Sequence, residues 1–176
     1  MSGQRLFAQN HRTDHSHRLR SFHRQRRLKP AIQIVPFRLR HLPRVLRIER
    51  ASFGAEAWPR RYFLELYGEC RDFFAVAKVR GRIAGYAVAC AEKRNSEIAS
   101  LAVHPDYRRR GVADALLGHL LRDLRAAGAR RVELMVRTGN TAGAQLYRSY
   151  GFRRVRLEPG YYEDGGDGVL MARAIQ

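Results

Sequence analysis

The sequence predicts an α/β domain of seven strands and four helices around a mixed sheet, and three observations carry that expectation. Two β-rich runs, 73–79 and 82–90, flank Arg80-Gly81, which reads as a hairpin and so as an antiparallel pair. A strand over 97–103, an amphipathic helix after Gly111 and a strand over 132–136 form one strand, helix, strand unit, the arrangement of a parallel crossover. From residue 31 onward the apolar pattern is that of a globular domain. At 176 residues the chain has room for one domain of ordinary size with a sizeable core.

The elements follow in order. Residues 1–30 hold eight Arg and Lys against the single acid Asp14, together with His11, His15, His17 and His23. Apolar residues are too sparse there to offset the entropy of ordering, so a disordered basic arm is expected. A transit peptide, an RNA or ribosome tether, a metal-binding histidine tract and a plain solvated extension all match this composition, although no clear amphipathic helix supports the first. A first strand covers 31–38. Leu42, Val45, Leu46 and Ala51 have helical spacing, which predicts a helix over 41–51. Pro59 suits a helix start, and Tyr62, Phe63 and Leu66 form an apolar face behind it.

The strand over 97–103 ends at His104-Pro105-Asp106, because proline moves its predecessor out of helical geometry. Val112, Leu116, Leu120 and Leu124 then recur every four residues, with Leu117 and Leu121 widening the face and Gly128 stopping the helix. After the strand over 132–136 come a helix over 140–150, ended by Gly151, a strand over 152–157 and a short last strand over 169–174.

The formal net charge of +18 predicts attraction to something anionic. It does not separate ribosome, nucleic acid, lipid headgroup and phosphorylated cofactor, and the near-exclusive use of arginine also fits a bias of genome composition. Cys70 and Cys90, twenty residues apart, have neither the paired spacing of a zinc site nor the density of a secreted disulfide scaffold, so a reducing cytoplasm is expected. No run of eighteen apolar residues occurs, so no membrane span is expected.

Chemistry concentrates at Arg108-Arg109-Arg110-Gly111-Val112-Ala113, a basic turn that enters a helix. Exposed N–H groups at a helix start carry partial positive charge, and Gly111 lets backbone approach phosphate oxygens, so the turn suits a pyrophosphate. Its place after the fourth strand, without three spaced glycines or Gly-Lys-Ser/Thr, argues against dinucleotide and Walker folds. The motif Arg/Gln-x-x-Gly-x-Gly/Ala is met by Arg108, Gly111 and Ala113. A second segment runs Asn140-Thr141-Ala142-Gly143-Ala144-Gln145-Leu146-Tyr147 and then Gly151-Phe152.

Together these segments resemble the GNAT superfamily of acyl-CoA-dependent N-acyltransferases. The C-terminal stretch 158–167, with Tyr161, Tyr162, Asp164 and Asp167, followed by Leu170-Met171-Ala172-Arg173, is similar to a segment of protein N-terminal acetyltransferases. That group includes the A-type catalytic subunits and the ribosomal-protein-alanine enzymes. The resemblance covers residue 31 to the end. It implies a mostly antiparallel sheet whose central parallel pair splays apart, with acetyl-CoA as co-substrate and no metal. The pantetheine arm would pair with the backbone of Leu101, Ala102 and Val103. Residues 108–113 would hold the pyrophosphate, and Asn140 would contact the pantetheine, cap its helix, or do both.

An amine must be neutral to attack a thioester, and an α-amine with a pKa near 8 needs only modest help, often through water. The oxyanion needs a donor and the departing thiolate a proton. The resemblance places Tyr147 beside the sulfur, as that donor. Ribosomal-protein-alanine enzymes carry a glutamate five residues before the Asn, where this chain has Met135, which cannot take a proton. Glu133 shares the face of Met135 but lies about 7 Å further along a strand, so it reads as a strand-end residue before it reads as a base. Glu56-Ala57-Trp58-Pro59 resembles the Glu-Asn-Tyr-Pro loop beside the peptide N-terminus, and Glu56 is equally an ordinary residue for the positive end of a helix. His104 reads as a turn residue that can also relay a proton.

Tyr161 and Tyr162 would wall the peptide groove, with Asp164 or Asp167 holding the hairpin closed. Gly166 and Gly168 stand where the group has an acid and an alanine. The function expected is therefore acetyl transfer to a protein N-terminus in a ternary complex, with ribosome association through the arm. A lysine or small-molecule amine is the alternative acceptor. A non-catalytic RNA- or ribosome-binding protein is the alternative class, weakened because the arm has only Phe7 and Phe22 to interleave with its basic residues.

Overall fold

Seven strands join one sheet in the order β1-β2-β3-β4-β5-β7-β6. The computed structural model describes residues 31–92 and 94–175, so the expected basic arm lies outside the described residues. The elements are β1 (Ile32–Pro36), α1 (Leu42–Phe53), α2 (Arg60–Cys70), β2 (Phe74–Val79), β3 (Arg82–Glu92), β4 (Asn95–Val103), α3 (Val112–Ala126), β5 (Arg131–Arg137), α4 (Thr141–Ser149), β6 (Arg153–Glu158) and β7 (Gly168–Ala174). Every neighbouring pair is antiparallel except β4 with β5. The mixed sheet and four helices of the expected fold class are present. The first strand is shorter than expected because Leu39–His41 wind into a 3-10 turn that feeds α1.

Each face of the sheet carries its own core. Val112, Leu116, Leu120 and Leu124 of α3 are essentially inaccessible and pack with Ile98, Val132, Leu134 and Phe152. Burial of each such leucine contributes about 1.5–3 kcal/mol before entropy is counted. On the other face, Val45 and Ile48 of α1 and Phe63 of α2 cover Val76, Tyr86 and Val88, and Phe37 stacks on Phe74 with centroids 4.0 Å apart. Gly85 is required by close approach: a Cβ there would lie 2.8 Å from the Ala102 carbonyl oxygen and 3.1 Å from both Leu116 and Val112 side chains.

One irregularity positions the site. Val88 faces Ser100 while Ala89 faces Ile98, so Ala99 is an extra, unpartnered residue on β4. Such a bulge bends its strand and sharpens the twist. Correspondingly, β4 pairs with β5 only over Asn95–Ile98 against Arg131–Leu134, and beyond Ile98 the two strands part.

The cysteine reading needs correction. Cys70 at the end of α2 and Cys90 on β3 form a disulfide, with Cα atoms 4.9 Å apart. Spacing along the chain carried no sign of it, because the pairing is made by α2 packing across β3. Among the described residues no helix is long and apolar enough to cross a membrane.

Candidate active site

The basic turn closes the parted end of β4. Arg109 and Gly111 have positive φ values of 56° and 82°. Left-handed geometry costs a non-glycine residue about 1–2 kcal/mol, and successive N–H groups around such residues form anion-binding concavities. Gly111 is the N-cap of α3 and offers no side chain, so the first-turn N–H groups have no side-chain acceptor. The contrast with α4 is direct, since Asn140 Oδ1 accepts the Gly143 N–H there at 2.9 Å.

Arg108, Arg109 and Arg110 are exposed, whereas the Val112 side chain is buried and leaves only its backbone to the turn. Arg108 Nε donates to the Val103 carbonyl at 3.3 Å, and Arg110 lies over the Tyr107 ring at 5.6 Å. Leu101, Ala102 and Val103 have no β5 partner, and the Val103 carbonyl is engaged by Arg108. His104 caps its own turn, accepting the Asp106 N–H on Nδ1 at 3.3 Å.

Tyr147 projects from α4 and is 9% exposed, its ring edge-on to Phe152. Burial first, and the neighbouring Tyr162 second, push its phenol up to about 12. It therefore stays protonated across the physiological range and can donate a hydrogen bond. No protein acceptor holds its hydroxyl among the described residues.

The end of β5 builds the opposite side. Arg137 binds Asp164 through Nη1 at 2.9 Å and Nη2 at 3.0 Å, pairs with Glu56, and lies over the Tyr162 ring at 4.2 Å. One guanidinium thus gathers the loop before α2 and the loop between β6 and β7, a residue the sequence reading missed. Asp164 Oδ1 also accepts the Gly166 N–H, and Asp167 Oδ1 accepts the Gly160 N–H, both at 2.9 Å. Tyr161 is exposed and edge-on to Tyr162, with centroids 5.1 Å apart.

Neither expected base stands free. Glu56 is held by Arg137, and Glu133 accepts from Arg131 Nε at 2.7 Å. Met135 lies against Gly168 instead, where a Cβ would come within 2.7 Å of its sulfur. Glu97, in register with Glu133 across the parallel pair, was also missed; burial and then the Glu133 charge raise its carboxyl above the ordinary range.

Arg137 and the Gly166 N–H hold the Asp164 carboxyl down at about 2. Because that value is depressed below the ordinary one near 4, the stabilisation is present above pH ~4 and is lost as pH falls toward about 2. The Gly166 amide resonance should therefore titrate in that acid window, and Asp164→Asn should abolish the titration. A wild-type signal that stays fixed down to pH ~2 would contradict the clamp.

Four likenesses to known proteins bear on this arrangement. Residues 42–152 match the acetyltransferase (GNAT) family. The N-alpha-acetyltransferase of Sulfurisphaera tokodaii is 31% identical over 151 residues, covering 78% of this chain and 90% of that protein. The ribosomal protein bS18-alanine N-acetyltransferase of Escherichia coli is 33% identical over 137 residues, covering 76% and 91%. Among solved structures, Ard1 from Thermoplasma volcanium superposes with a TM-score of 0.80 at 30% identity, covering 83% of this chain and 99% of that one.

Proposed function

The chain belongs to the GNAT family of acetyltransferases, and from that membership we propose that it moves an acetyl group from acetyl-CoA to the α-amine of a protein N-terminus. The observation that carries this reading is the parting of β4 from β5 after Ile98. One parted strand runs on into the uncapped, phosphate-shaped turn. The other ends in Arg137, which holds Glu56 and Tyr162. On this reading donor and acceptor machinery would occupy two neighbouring strand ends. The relatives named for N-alpha and ribosomal-protein-alanine acetylation support a protein N-terminus as acceptor.

Acetyl-CoA, when bound, supplies an acetyl thioester. Arg108, Arg109, Arg110 and the backbone of Gly111, Val112 and Ala113 would hold its pyrophosphate, and the edge of Leu101, Ala102 and Val103, which has no β5 partner, would hold its pantetheine arm together with Asn140. Tyr147 would donate its phenolic proton to the departing sulfur and regain one from solvent. Tyr161 and Tyr162 wall the acceptor groove, and Glu56, held by Arg137, orients the incoming amine rather than deprotonating it. An α-amine with a pKa near 8 passes its proton to water, so Met135 is no obstacle. Glu133, bonded to Arg131, stands outside the reaction. Reaction by direct attack needs only that the two substrates be held together. The non-catalytic RNA-binding alternative gives way to the enzymatic class that the family carries.

Two measurements test this. Calorimetry should detect acetyl-CoA binding, and Gly111→Val should weaken it about tenfold or more, because a β-branched residue at left-handed φ costs ~1–2 kcal/mol and ~1.4 kcal/mol is tenfold. Equal affinity would remove the turn from the site. Peptides with free α-amines should release free thiol from acetyl-CoA, and a panel that releases none would overturn the reading.

A further inference from the structure

Glu49, on α1, is the only fully buried acid among the described residues, at 2% exposure. Its Oε1 accepts the Trp58 N–H at 2.9 Å, and its Oε2 accepts the hydroxyl of Tyr86. That hydroxyl lies 2.9 Å from Ser100 Oγ. Since Tyr86 gives its single proton to the carboxylate, Ser100 is the donor to Tyr86. No ion pair reaches Glu49 among the described residues. Burial raises its carboxyl, and the Tyr86 and Trp58 hydrogen bonds draw it part of the way back.

A buried carboxylate without a cation is a poor way to fill a core, because an apolar side chain of similar volume avoids the desolvation penalty altogether. What the group offers in return is convergence. Trp58 lies in the Glu56-Ala57-Trp58-Pro59 loop on the acceptor side. Ser100 follows Ala99, the bulge residue at which β4 has already left β5. One carboxylate is therefore bonded directly to the acceptor loop and, through one buried phenol, to the donor strand.

We propose that Glu49 is a positioning residue, a buried strut that fixes the acceptor loop against the parted strand through Trp58 on one side and Tyr86 with Ser100 on the other. This rests on the acetyl-transfer reading, because it is that reading which assigns the loop to the acceptor and the strand to the donor. Its consequence is alignment: a displacement of about 1 Å between reacting groups costs up to about 10²-fold in rate. The strut acts without touching either substrate.

The experiment combines three variants with two readouts, amide exchange at Trp58 and steady-state kinetics. Glu49→Leu removes both acceptors, and should speed Trp58 exchange and raise the acceptor KM, each about tenfold or more, while acetyl-CoA affinity stays within about twofold. Glu49→Gln keeps an oxygen for Trp58 and offers an N–H to Tyr86, which can then donate onward to Ser100; it should recover most of both losses. Tyr86→Phe cuts only the strand branch, and should lower kcat several-fold with Trp58 protection retained. If Glu49→Leu does not fold, Tyr86→Phe still divides the two branches, since it should lower kcat while Trp58 stays protected, and an unchanged kcat there overturns the strut. An active wild type whose Trp58 exchange and acceptor KM ignore Glu49→Leu, or whose kcat ignores Tyr86→Phe, overturns the strut. A wild type that acetylates no amine overturns instead the reading beneath it.

Discussion

Replacing Tyr147 by phenylalanine should lower kcat about 10²-fold, the low end of what a positioned general acid contributes, while acetyl-CoA affinity stays within about twofold. The split follows from position. The ring is buried and packs on Phe152, and phenylalanine keeps that packing. Only the hydroxyl is lost, and it has no protein acceptor among the described residues, so its removal leaves no broken network in the resting enzyme. A donor whose partner arises during the reaction stabilises the transition state more than the ground state, and its loss therefore appears in kcat. Burial holding the phenol at about 12 adds a second signature. The rate should show no alkaline loss from this group below about pH 11. Steady-state kinetics with a calorimetric acetyl-CoA titration check both, and an unchanged kcat would remove Tyr147 from the mechanism.

Arg137→Ala should raise the acceptor KM tenfold or more, with acetyl-CoA binding little altered. The guanidinium holds Glu56, Asp164 and the Tyr162 ring at once. Without it the two carboxylates repel across the groove and both loops lose their common anchor. Arg137→Lys should recover only part of the loss, because an ammonium keeps the charge but lacks the planar fork and stacks poorly on an aromatic ring. The exposed setting limits what the ion pairs give to stability, so the thermal midpoint should move little while the acceptor KM moves much. A KM unchanged in Arg137→Ala would show that these loops do not frame the acceptor.

The sequence made most of the architecture legible, because periodicity in α3 and the Arg80-Gly81 hairpin depend on local pattern alone. Gly111 and Asn140 were legible for the same reason: a left-handed N-cap and a side-chain cap are local needs. The bulge at Ala99 was invisible in residue order, since it exists only in the register between β3 and β4. Arg137 lies one residue past the strand expected over 132–136, and its partners Glu56 and Asp164 lie 81 and 27 residues away. Cys70 and Cys90 were hidden in the same manner. Glu49 did leave a trace. With Leu42 and Val45 it completes an i, i+3, i+7 stripe on α1, so an acid occupies an apolar position of an amphipathic helix.

Acceptor identity is tested most directly by where the acetyl group lands. Two peptides of one sequence, each with an internal lysine, one with a free α-amine and one with that amine blocked, are incubated with the enzyme and acetyl-CoA, and fragment masses locate the modification. The expected result is acetyl on the α-nitrogen of the free peptide and none on the blocked one. Acetyl on the lysine of both, with the α-amine untouched, would contradict it.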